Sequence, residues 1–465
     1  MLHLFNVKSP HSHPQLSPIP SNSPYKQLSG RLLTRNEIPL DENELQQLIQ
    51  HEYVYKLPSI TSNRCGRCGA DESHLFGHFP HCVCGCSCCY CRNCVMMGRV
   101  TECESLYIFS SCTAFKKHEA PCNWEGNLTI GQQNAAERII SSIKRKEELL
   151  VWAVCGAGKT EMLFPGITYA LRQGLRICIA TPRTDVVREL LPRLQSAFAD
   201  VDIQGLYGDS EEKLGSAQLL IATTHQLYRY THAFDVVIID EIDAFPFHND
   251  KSLKWAASRA AKKASAQIYL TATPRKEEKK RIRKKQLSAV FIPSRFHGHP
   301  LPVPKLKLTP TLRSRLSKGA LPSSILSHIS NQRKGKRQLL LFASTIQSAE
   351  NIASLLSLHY SVKSVHAEDP ERADKINSFR NLEIDILVTT TILERGVTFP
   401  SVDVFVIDAG HQVFDEAALV QISGRAGRSP DDPDGRVIFF HIGKTEAMLE
   451  AQAAIEKMNL KAKKQ

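Results

Sequence analysis

Residues 153–160 read AVCGAGKT and follow directly on the apolar run LLVW at residues 149–152. A glycine-rich turn after a buried strand presents backbone N–H groups that can surround phosphate oxygens. In such a loop the ammonium group of Lys159 reaches the β- and γ-phosphates, and the hydroxyl of Thr160 binds Mg²⁺. The segment therefore predicts a nucleoside-triphosphate site, and the alternative is a structural turn before a helix. The residues that we expect to surround the phosphates are Gly156, Ala157, Gly158, Lys159 and Thr160.

An acidic motif farther along the chain supplies the second half of such a site. Residues 237–243 read VIIDEID, so the carboxylates follow an apolar stretch that predicts a strand. We expect Asp240 to bind the magnesium shell and Glu241 to orient the attacking water. A solvated acidic turn is the alternative for this motif alone. The two motifs together predict ATP hydrolysis, and Ala153 in place of the first glycine is typical of helicase-type ATPases.

Composition and charge limit the class of protein. The 465 residues carry a formal net charge of +12 and a pI near 9.0, which favours a polyanionic partner such as nucleic acid or anionic lipid. No apolar stretch approaches the roughly 18 residues needed to span a bilayer, and the start of the chain lacks the apolar core of a signal peptide. These features predict a cytoplasmic protein. The Ser/Pro/His-rich opening, at least as far as Tyr25, predicts a flexible leader.

Most of the 14 cysteines lie between Cys65 and Cys112. Disulfides do not persist in the cytoplasm, so clustered thiols there indicate a metal site. Two C-x₂-C pairs have a spacing close to that of four-thiolate zinc sites, and they predict a structural Zn²⁺ site at Cys65, Cys68, Cys91 and Cys94. A second metal or a different ligand set is an alternative, because five more cysteines lie between the pairs, and metal-free buried or redox-active thiols are another. Those five are Cys82, Cys84, Cys86, Cys88 and Cys89.

Apolar segments alternate with helical stretches on both sides of a Pro-rich link at residues 297–310. This alternation predicts two tandem α/β lobes with parallel sheets, preceded by a small Cys-rich domain. The predicted strands are 149–154, 176–181, 219–223, 236–240 and 267–271 in the first lobe, and 338–342, 362–366, 384–389, 402–407 and 436–441 in the second. The expected domains are a leader and N-terminal segment (1–60), a four-Cys zinc domain (61–124), an ATP-binding lobe (125–298) and a C-terminal lobe (299–465).

Further motifs follow in a fixed order on these lobes. Gln132, in LTIGQQ, is placed to hydrogen-bond an adenine edge. Residues 271–273 read TAT, and their hydroxyls can couple phosphate occupancy to lobe movement. In the second lobe QISGRAGR carries Arg425 and Arg428, three positions apart, which predict arginine fingers that stabilise charge on the γ-phosphate. A solvated basic helix is the alternative for GRAGR alone.

Two features bear on nucleic-acid binding without deciding it. Residues 275–285 read RKEEKKRIRKK, a basic run that can bind DNA phosphates or acidic headgroups but equally fits a solvated amphipathic surface. Tyr228 and Tyr230 are candidates for base stacking, although aromatic residues near strand ends lie more often in the core.

With these motifs in place, the sequence resembles the DEAD-box-like superfamily 2 helicases. The segments WAVCGAGKTEM, TTHQL, DEIDAFPF, LTATP, RFHGHPLP, TTTILERGVTFP and QISGRAGRS, with CYCRNCVMMGRV upstream, are similar to those of the ComFA family of late-competence ATPases. The resemblance runs from about Cys65 to the C-terminus. The replication-restart helicase PriA is a more distant resemblance that shares the GAGKT and GRAGR elements. The crowded CVCGCSCC segment and the long leader depart from the family pattern.

The resemblance implies roles for the matching residues and a biological setting. It implies ATP, Mg²⁺ and Zn²⁺ as cofactors, Lys159 and Thr160 as phosphate and magnesium ligands, and Asp240 with Glu241 as the acid pair. It further implies movement of single-stranded DNA at the inner face of the cell membrane, with the channel ComEC and the proteins ComFC and DprA as partners. A PriA-like duplex-unwinding helicase and a non-catalytic DNA-binding scaffold are the alternative functions. The catalytic residues implied are Lys159, Asp240, Glu241, Arg425 and Arg428.

Overall fold

The computed structural model describes residues 16–20, 23–80, 82, 84–111, 114–208, 210 and 216–463. Contacts within the chain define two compact units. The first consists of Met1–Trp152 and Thr160–Val290, and the second of Ala153–Lys159 and Phe291–Gln465. The chain therefore passes from the first unit into the second at the glycine-rich loop, returns at Thr160, and enters the second unit again eight residues before the predicted lobe boundary.

The N-terminal part of the first unit is a small α+β region built from three short sheets. Its elements are β1 (Leu32–Thr34), α1 (Glu42–Gln50), β2 (Val54–Pro58), β3 (Ile60–Thr61), β4 (Arg64–Cys65), β5 (Phe76–Phe79), β6 (Cys88–Cys91), β7 (Val100–Thr101) and β8 (Ser105–Phe109). The sheets have the orders β1-β8-β2, β3-β4 and β5-β6-β7, all antiparallel. Because β2 and β8 pair with each other, the predicted domain boundary at residue 60 separates strands of one sheet.

This region orders more of the N-terminus than the composition suggests. Helix α1 begins after Asp41, whose carboxylate accepts the Glu44 N–H at 2.8 Å, and its apolar face buries Leu45 and Leu48. Those leucines belong to a small core that also contains Ile19 and Leu28. Tyr25 lies in a 3₁₀ turn at Pro24–Leu28. The predicted leader therefore contributes to the core within the described residues, while residues 1–15 and 21–22 of it lie outside them.

The first lobe is an α/β fold around a seven-stranded sheet. Its elements are α2 (Ile130–Arg145), β9 (Glu148–Ala153), α3 (Phe164–Arg172), β10 (Ile177–Thr181), α4 (Thr184–Ala197), β11 (Ile203–Leu206), β12 (Leu219–Thr223), β13 (Phe234–Ile239), α5 (Lys251–Ala260), β14 (Ala261–Thr271), α6 (Lys276–Arg283) and β15 (Ser288–Ile292). The strand order is β11-β12-β10-β13-β14-β9-β15, and the pairs from β11 to β9 are parallel. Central strands such as β10 and β12 are buried at every position, as expected for a sheet covered on both faces.

The second lobe repeats this architecture with six parallel strands. Its elements are β16 (Lys305–Leu308), α7 (Leu312–Leu316), α8 (Ser323–Arg333), β17 (Gln338–Phe342), α9 (Ile346–Leu356), β18 (Val362–Val365), α10 (Arg372–Arg380), β19 (Ile386–Thr389), β20 (Val402–Val406), α11 (Glu416–Ser423), β21 (Val437–His441) and α12 (Glu446–Ala462). The strand order is β16-β21-β20-β17-β19-β18. Two parallel-sheet lobes preceded by a Cys-rich region confirm the predicted fold class.

All ten predicted strands are present, nine of them within two residues of the expected bounds, whereas β14 begins six residues before its predicted start. The strands that the sequence did not predict in the lobes are β11, β15 and β16, and each lies at the edge of its sheet. No helix in the described part of the chain is long and apolar enough to cross a membrane. The loops after β9, β13 and β14 carry motifs of the first lobe. They follow parallel strands, whose carboxyl ends lie at the same edge of a sheet.

Candidate nucleotide and metal sites

The glycine-rich loop follows β9 as a tight turn. Gly156 and Gly158 have φ angles of 79° and 68°, a region that glycine enters without steric cost. The N–H of Ala157 donates to the Val154 carbonyl at 3.2 Å and closes the turn. Lys159 and Thr160 at its end are half-buried, so both remain partly accessible to solvent. The local geometry matches a phosphate-binding loop.

Within the second unit this loop contacts the QISGRAGR motif. The Cys155 thiol donates to the Gln421 side-chain carbonyl at 2.9 Å. A methyl group on Gly424 would overlap the Cβ of Cys155, so the backbone of the motif approaches the loop as closely as glycine permits. Gly427 has a φ of 61°, and a side chain there would collide with the Pro433 carbonyl. Both glycines of GRAGR are therefore required by packing.

Arg295 stabilises this arrangement. It lies in the segment RFHGHPLP, in which the sequence predicted no functional residue. Its guanidinium is 2% exposed and donates to the carbonyls of Ala426, at 2.9 Å, and Gly427. The next residue, Phe296, donates its N–H to the Gly156 carbonyl at 3.0 Å. Burial lowers the pKa of Arg295 to about 10, so the group stays protonated at neutral pH. The segment RFHG thus connects the loop to the arginine motif.

Buried donors in this neighbourhood fit an anionic ligand. The Nε2 atom of Gln421 and the Nε atom of Arg295 are buried and have no hydrogen-bond acceptor among the described residues. A buried donor without an acceptor is costly, and phosphate oxygens are strong acceptors. The residues present around the loop therefore fit a bound nucleotide.

The two predicted fingers have different surroundings. Arg425 is 3% exposed, and its guanidinium donates to the carbonyls of Glu394, at 2.7 and 2.8 Å, and Val397. Arg428 is half-buried and has a weaker set of bonds, to Thr398 Oγ1 at 3.1 Å and to the Gly424 carbonyl at 3.4 Å. Arg425 holds the ERGVT segment in place, whereas Arg428 is the more accessible of the two.

The acidic motif forms a sharp turn after β13. Glu241 has a φ of 55°, and its N–H donates to Asp240 Oδ1 at 2.9 Å. Asp243, which the sequence did not assign, accepts a hydrogen bond from Thr271 Oγ1 at 2.6 Å and another from Thr273 Oγ1. The acidic turn and the TAT segment are thus joined through Asp243. The sequence contains the signal for this pairing, because Asp243 is the last residue of the DEID motif and residues 271–273 read TAT.

Gln132 has a local structural contact. Its side-chain carbonyl accepts the Thr129 N–H at 2.8 Å while Thr129 Oγ1 accepts the Gln132 N–H at 3.3 Å, which is a capping box at the start of α2. The residue is buried. Its side-chain carbonyl oxygen is therefore engaged in the helix cap.

Four of the cysteines converge on one buried point. The Sγ atoms of Cys65, Cys68, Cys91 and Cys94 all lie within 4.8 Å of one another, and we call this group the inner cysteine cluster. All four residues are fully buried. Hydrogen bonds from Cys68, Cys91 and Cys94 hold the pKa of Cys65 well below its usual value, which favours a thiolate there. Four thiols in this arrangement fit a closed, structural Zn²⁺ site.

The inner cysteine cluster is part of the core of the first lobe, where it packs with residues of β13 and α5. The Arg259 guanidinium, fully buried, donates to the carbonyls of Gly66 and Arg67 in the first cysteine loop, and to those of Tyr228 and Tyr230. Burial lowers the pKa of Arg259 to about 9. This one side chain binds the cysteine loop to the TTHQLYRY segment.

A second connection uses Glu37. Its carboxylate accepts hydrogen bonds from Arg67 at 2.8 Å and from Arg229 at 2.7 Å. Burial alone would raise the pKa of Glu37, but the guanidinium groups of Arg67 and Arg229 outweigh it and leave that pKa lowered. The Cys-rich region is thus held on the first lobe by ion pairs as well as by apolar packing.

The two tyrosines and the basic run, which the sequence offered as candidates for nucleic-acid binding, differ in their exposure. Tyr228 and Tyr230 are 1% and 0% exposed, which confirms that they belong to the core. The basic run forms α6, but Arg281 is buried and pairs with Glu148 at 2.8 Å, and Arg275 donates to the Asp243 carbonyl at 3.0 Å. The basic side chains of this run that are exposed are Lys276, Lys280, Arg283, Lys284 and Lys285.

Family models match most of the chain in three consecutive stretches. Residues 20–108 match the competence protein ComFA N-terminal domain. Residues 125–276 match the type III restriction enzyme res subunit, and residues 321–430 match the helicase conserved C-terminal domain. These matches and the paired motifs show a helicase-type ATPase, and domains of this class use ATP with Mg²⁺.

Relatives and solved structures agree with these matches. The chain is 45% identical to the competence protein ComFA of Bacillus subtilis, over 95% of this chain and 97% of that protein. It is 37% identical to the competence protein ComFA of Streptococcus pneumoniae, over 93% and 98%. The structure of S. cerevisiae Dbp5 bound to RNA and ADP-BeF₃ covers 71% of this chain and 92% of its own, with a TM-score of 0.54 and 18% identity, which shows the shared fold. The chain therefore belongs to the ComFA family of competence proteins.

Proposed function

We propose that this chain is an ATP-driven translocase of single-stranded DNA that powers the import of transforming DNA during natural competence. The observation that carries the proposal is the contact between the phosphate loop and the arginine motif, through Cys155 with Gln421 and through Arg295. A motor must convert occupancy of one site into movement, and this contact makes the arginine motif sensitive to whatever occupies the loop. The kinship with competence proteins supports the biological setting.

The phosphate loop and Gln132 would bind the nucleotide. Lys159 would neutralise the β- and γ-phosphates, and backbone N–H groups of Gly156, Ala157 and Gly158 would surround them. The hydroxyl of Thr160 and the carboxylate of Asp240 would hold Mg²⁺, which supplies charge neutralisation on the transferred phosphate. Gln132 would meet the adenine, which requires its side-chain amide because its carbonyl oxygen caps α2.

Glu241 and the arginines would act on the transition state. Glu241 would orient the attacking water, and Asp240 accepts its N–H, which keeps the turn in register. Arg428 would stabilise the charge on the transferred phosphate, since its contacts are weak and it is partly exposed. Arg425, committed to the Glu394 and Val397 carbonyls, would position the motif instead of contacting the phosphate. This revises the expectation of two equivalent fingers.

The inner cysteine cluster would hold one Zn²⁺ with a structural role, because four protein ligands leave no position for a substrate. The DNA strand, the membrane channel ComEC and the proteins ComFC and DprA are the proposed partners, at the inner face of the cell membrane. The net charge of +12 supports a polyanionic partner.

Turnover measurements on the purified chain test the proposal. We expect single-stranded DNA to stimulate ATP hydrolysis and streptavidin to be displaced from a biotinylated strand, without separation of a tailed duplex. Lys159→Ala is the control, and it should abolish turnover in every arm. Efficient unwinding of the duplex would favour the restart-helicase alternative, and absence of turnover with any polynucleotide would favour the scaffold.

A further inference from the structure

A second group of four cysteines lies outside the inner cysteine cluster. The Sγ atoms of Cys82, Cys84, Cys88 and Cys103 all lie within 4.8 Å of one another, and we call this group the outer cysteine cluster. The sulfur of Cys82 is 3.3 Å from that of Cys103, and the sulfur of Cys84 is 3.1 Å from that of Cys88. Four ligands at a Zn–S distance of about 2.3 Å have sulfur–sulfur edges of roughly 3.8 Å, so small outward shifts would complete a tetrahedron.

We propose that the outer cysteine cluster is a second four-thiolate Zn²⁺ site that exchanges its metal faster than the inner cysteine cluster. Cys103 completes it, although it lies 14 residues beyond the last cysteine of the CVCGCSCC segment. Binding would release the thiol protons to solvent as the four Zn–S bonds form. The chemical class of ligand is a borderline-soft divalent cation, for which thiolates are the preferred donors.

The chain brings these ligands together by a turn and a sheet. Gly85, with a φ of 80°, donates its N–H to the Cys82 carbonyl at 2.9 Å, and Cys82 donates its own N–H to the Cys86 carbonyl at 3.3 Å, so a tight turn brings Cys82 and Cys84 together. Cys88 begins β6, and Cys103 follows β7, which pairs with β6 at Tyr90 and Thr101. Both anchor points are therefore set by backbone pairing that does not depend on the metal.

The two clusters do not compete for ligands. Cys88 starts β6 and belongs to the outer cysteine cluster, while Cys91 ends the same strand and belongs to the inner one. Three positions apart on one strand, they point to opposite faces. Cys86 and Cys89 belong to neither cluster: Cys86 is exposed, and the Cys89 N–H donates to Glu102 at 3.4 Å.

Exposure predicts the difference in exchange between the clusters. In the outer cluster Cys84 and Cys103 are exposed, Cys82 is half-buried and Cys88 is buried, whereas every cysteine of the inner cluster is fully buried. A chelator can approach the outer sulfurs directly, while metal held by the inner cluster leaves only after the surrounding core opens. The outer site would connect Cys82 and Cys84 to Cys103, which follows β7.

Zinc content of the full chain tests the proposal independently of ATP turnover. We expect two zinc ions per wild-type chain by elemental analysis, released to a chromogenic chelator in a fast and a slow phase. Cys103→Ser and Cys84→Ser should each remove one ion and the fast phase, and leave the slow phase. Cys86→Ser is the matched control in the same exposed segment, and it should retain both ions and both phases.

The contrary results are equally specific. One zinc ion in the wild type, released in a single slow phase that Cys103→Ser leaves unchanged, would overturn the proposal. So would a Cys82–Cys103 or Cys84–Cys88 disulfide found by alkylation and mass spectrometry in chain purified with reductant. Cobalt substitution gives a second readout, since the thiolate-to-cobalt absorption should fall by about half in Cys103→Ser but not in Cys86→Ser.

Discussion

At the scale of single residues, the two arginines of GRAGR should differ in what their loss affects: Arg428 should matter for catalysis and Arg425 for stability. We expect Arg428→Ala to lower the turnover of ATP by at least about 10³-fold, the lower bound for an arginine that stabilises phosphoryl transfer. Nucleotide affinity should stay nearly unchanged, because the side chain acts mainly on the transition state. Steady-state kinetics with a nucleotide-binding titration measures both. Equal loss of binding and turnover would exclude the finger role.

Arg425→Ala should behave in the opposite way. Its loss removes the hydrogen bonds that it donates to the Glu394 and Val397 carbonyls, and a buried carbonyl that loses its donor costs about 1–3 kcal/mol. We therefore expect a clear fall in melting temperature, followed by calorimetry, whereas the half-buried Arg428→Ala should change the melting temperature little. A melting temperature that is unaffected in Arg425→Ala would contradict the positioning role.

Glu37 gives a pH-dependent prediction at the same scale. Its folded pKa lies below the ordinary value of 4.5, so its ion pairs stabilise the fold fully above that value and lose this effect as the pH falls through the folded pKa. Glu37→Gln should lower the melting temperature at pH 7, and the gap from the wild type should close as the pH falls through the folded pKa of Glu37. Glu42→Gln, at an exposed partner of Arg35, is the control and should show little effect at either pH. A gap that persists in acid would contradict this account.

At the scale of elements, α6 is a candidate for DNA contact. The structure reduces the number of its basic side chains that are accessible to DNA. Its buried Arg281 pairs with Glu148, so contact with phosphates falls to the exposed basic side chains, which are lysines except for Arg283. If they do, charge reversal at Lys280, Lys284 and Lys285 should flatten the dependence of log affinity on log salt by up to about 2, given roughly 0.7 per single-strand phosphate contact. Fluorescence anisotropy with labelled single-stranded DNA measures this slope.

The control for α6 keeps the change in net charge equal. Reversal at the exposed lysines Lys444, Lys457 and Lys463, at and near α12, alters the overall charge by the same amount. We expect it to leave the slope nearly unchanged. Equal slopes in the two triple variants would remove α6 from the DNA path.

Elements also show what the sequence could and could not predict. Central strands such as β10 and β12 are buried at every position and apolar up to their final threonine, so their pattern is unambiguous. The missed strands β11, β15 and β16 lie at sheet edges, where few positions are buried, so KLKL and IQGL carry little apolar signal. Local motifs predicted the glycine-rich loop and the four cysteines whose sulfurs lie together in the structure. Arg295 and Cys103 act through contacts distant in sequence, which no local pattern predicts.

At the scale of the whole molecule, the inner cysteine cluster should determine the stability of the first unit. Its residues pack in the same core as β13 and α5, and Arg259 bonds both to the cysteine loop and to Tyr228 and Tyr230. We expect Cys68→Ser to lower the melting temperature of the first lobe along with that of the Cys-rich region, in one calorimetric transition. Cys122→Ser, outside both clusters, should change little. Separate unfolding of a small domain would refute this coupling.

The path of the chain between the two units limits how the protein can be dissected. Residues 153–159 belong to the second unit although residues before and after them belong to the first. A recombinant fragment that begins at Phe291 therefore lacks the partner of Gln421 and leaves Gly424 facing solvent. A fragment that ends at Val290 carries a loop deprived of its neighbours. We therefore expect that mixing the two fragments does not reconstitute the protein by simple docking. The glycine-rich loop is attached to the first fragment, and it would have to insert among residues of the second.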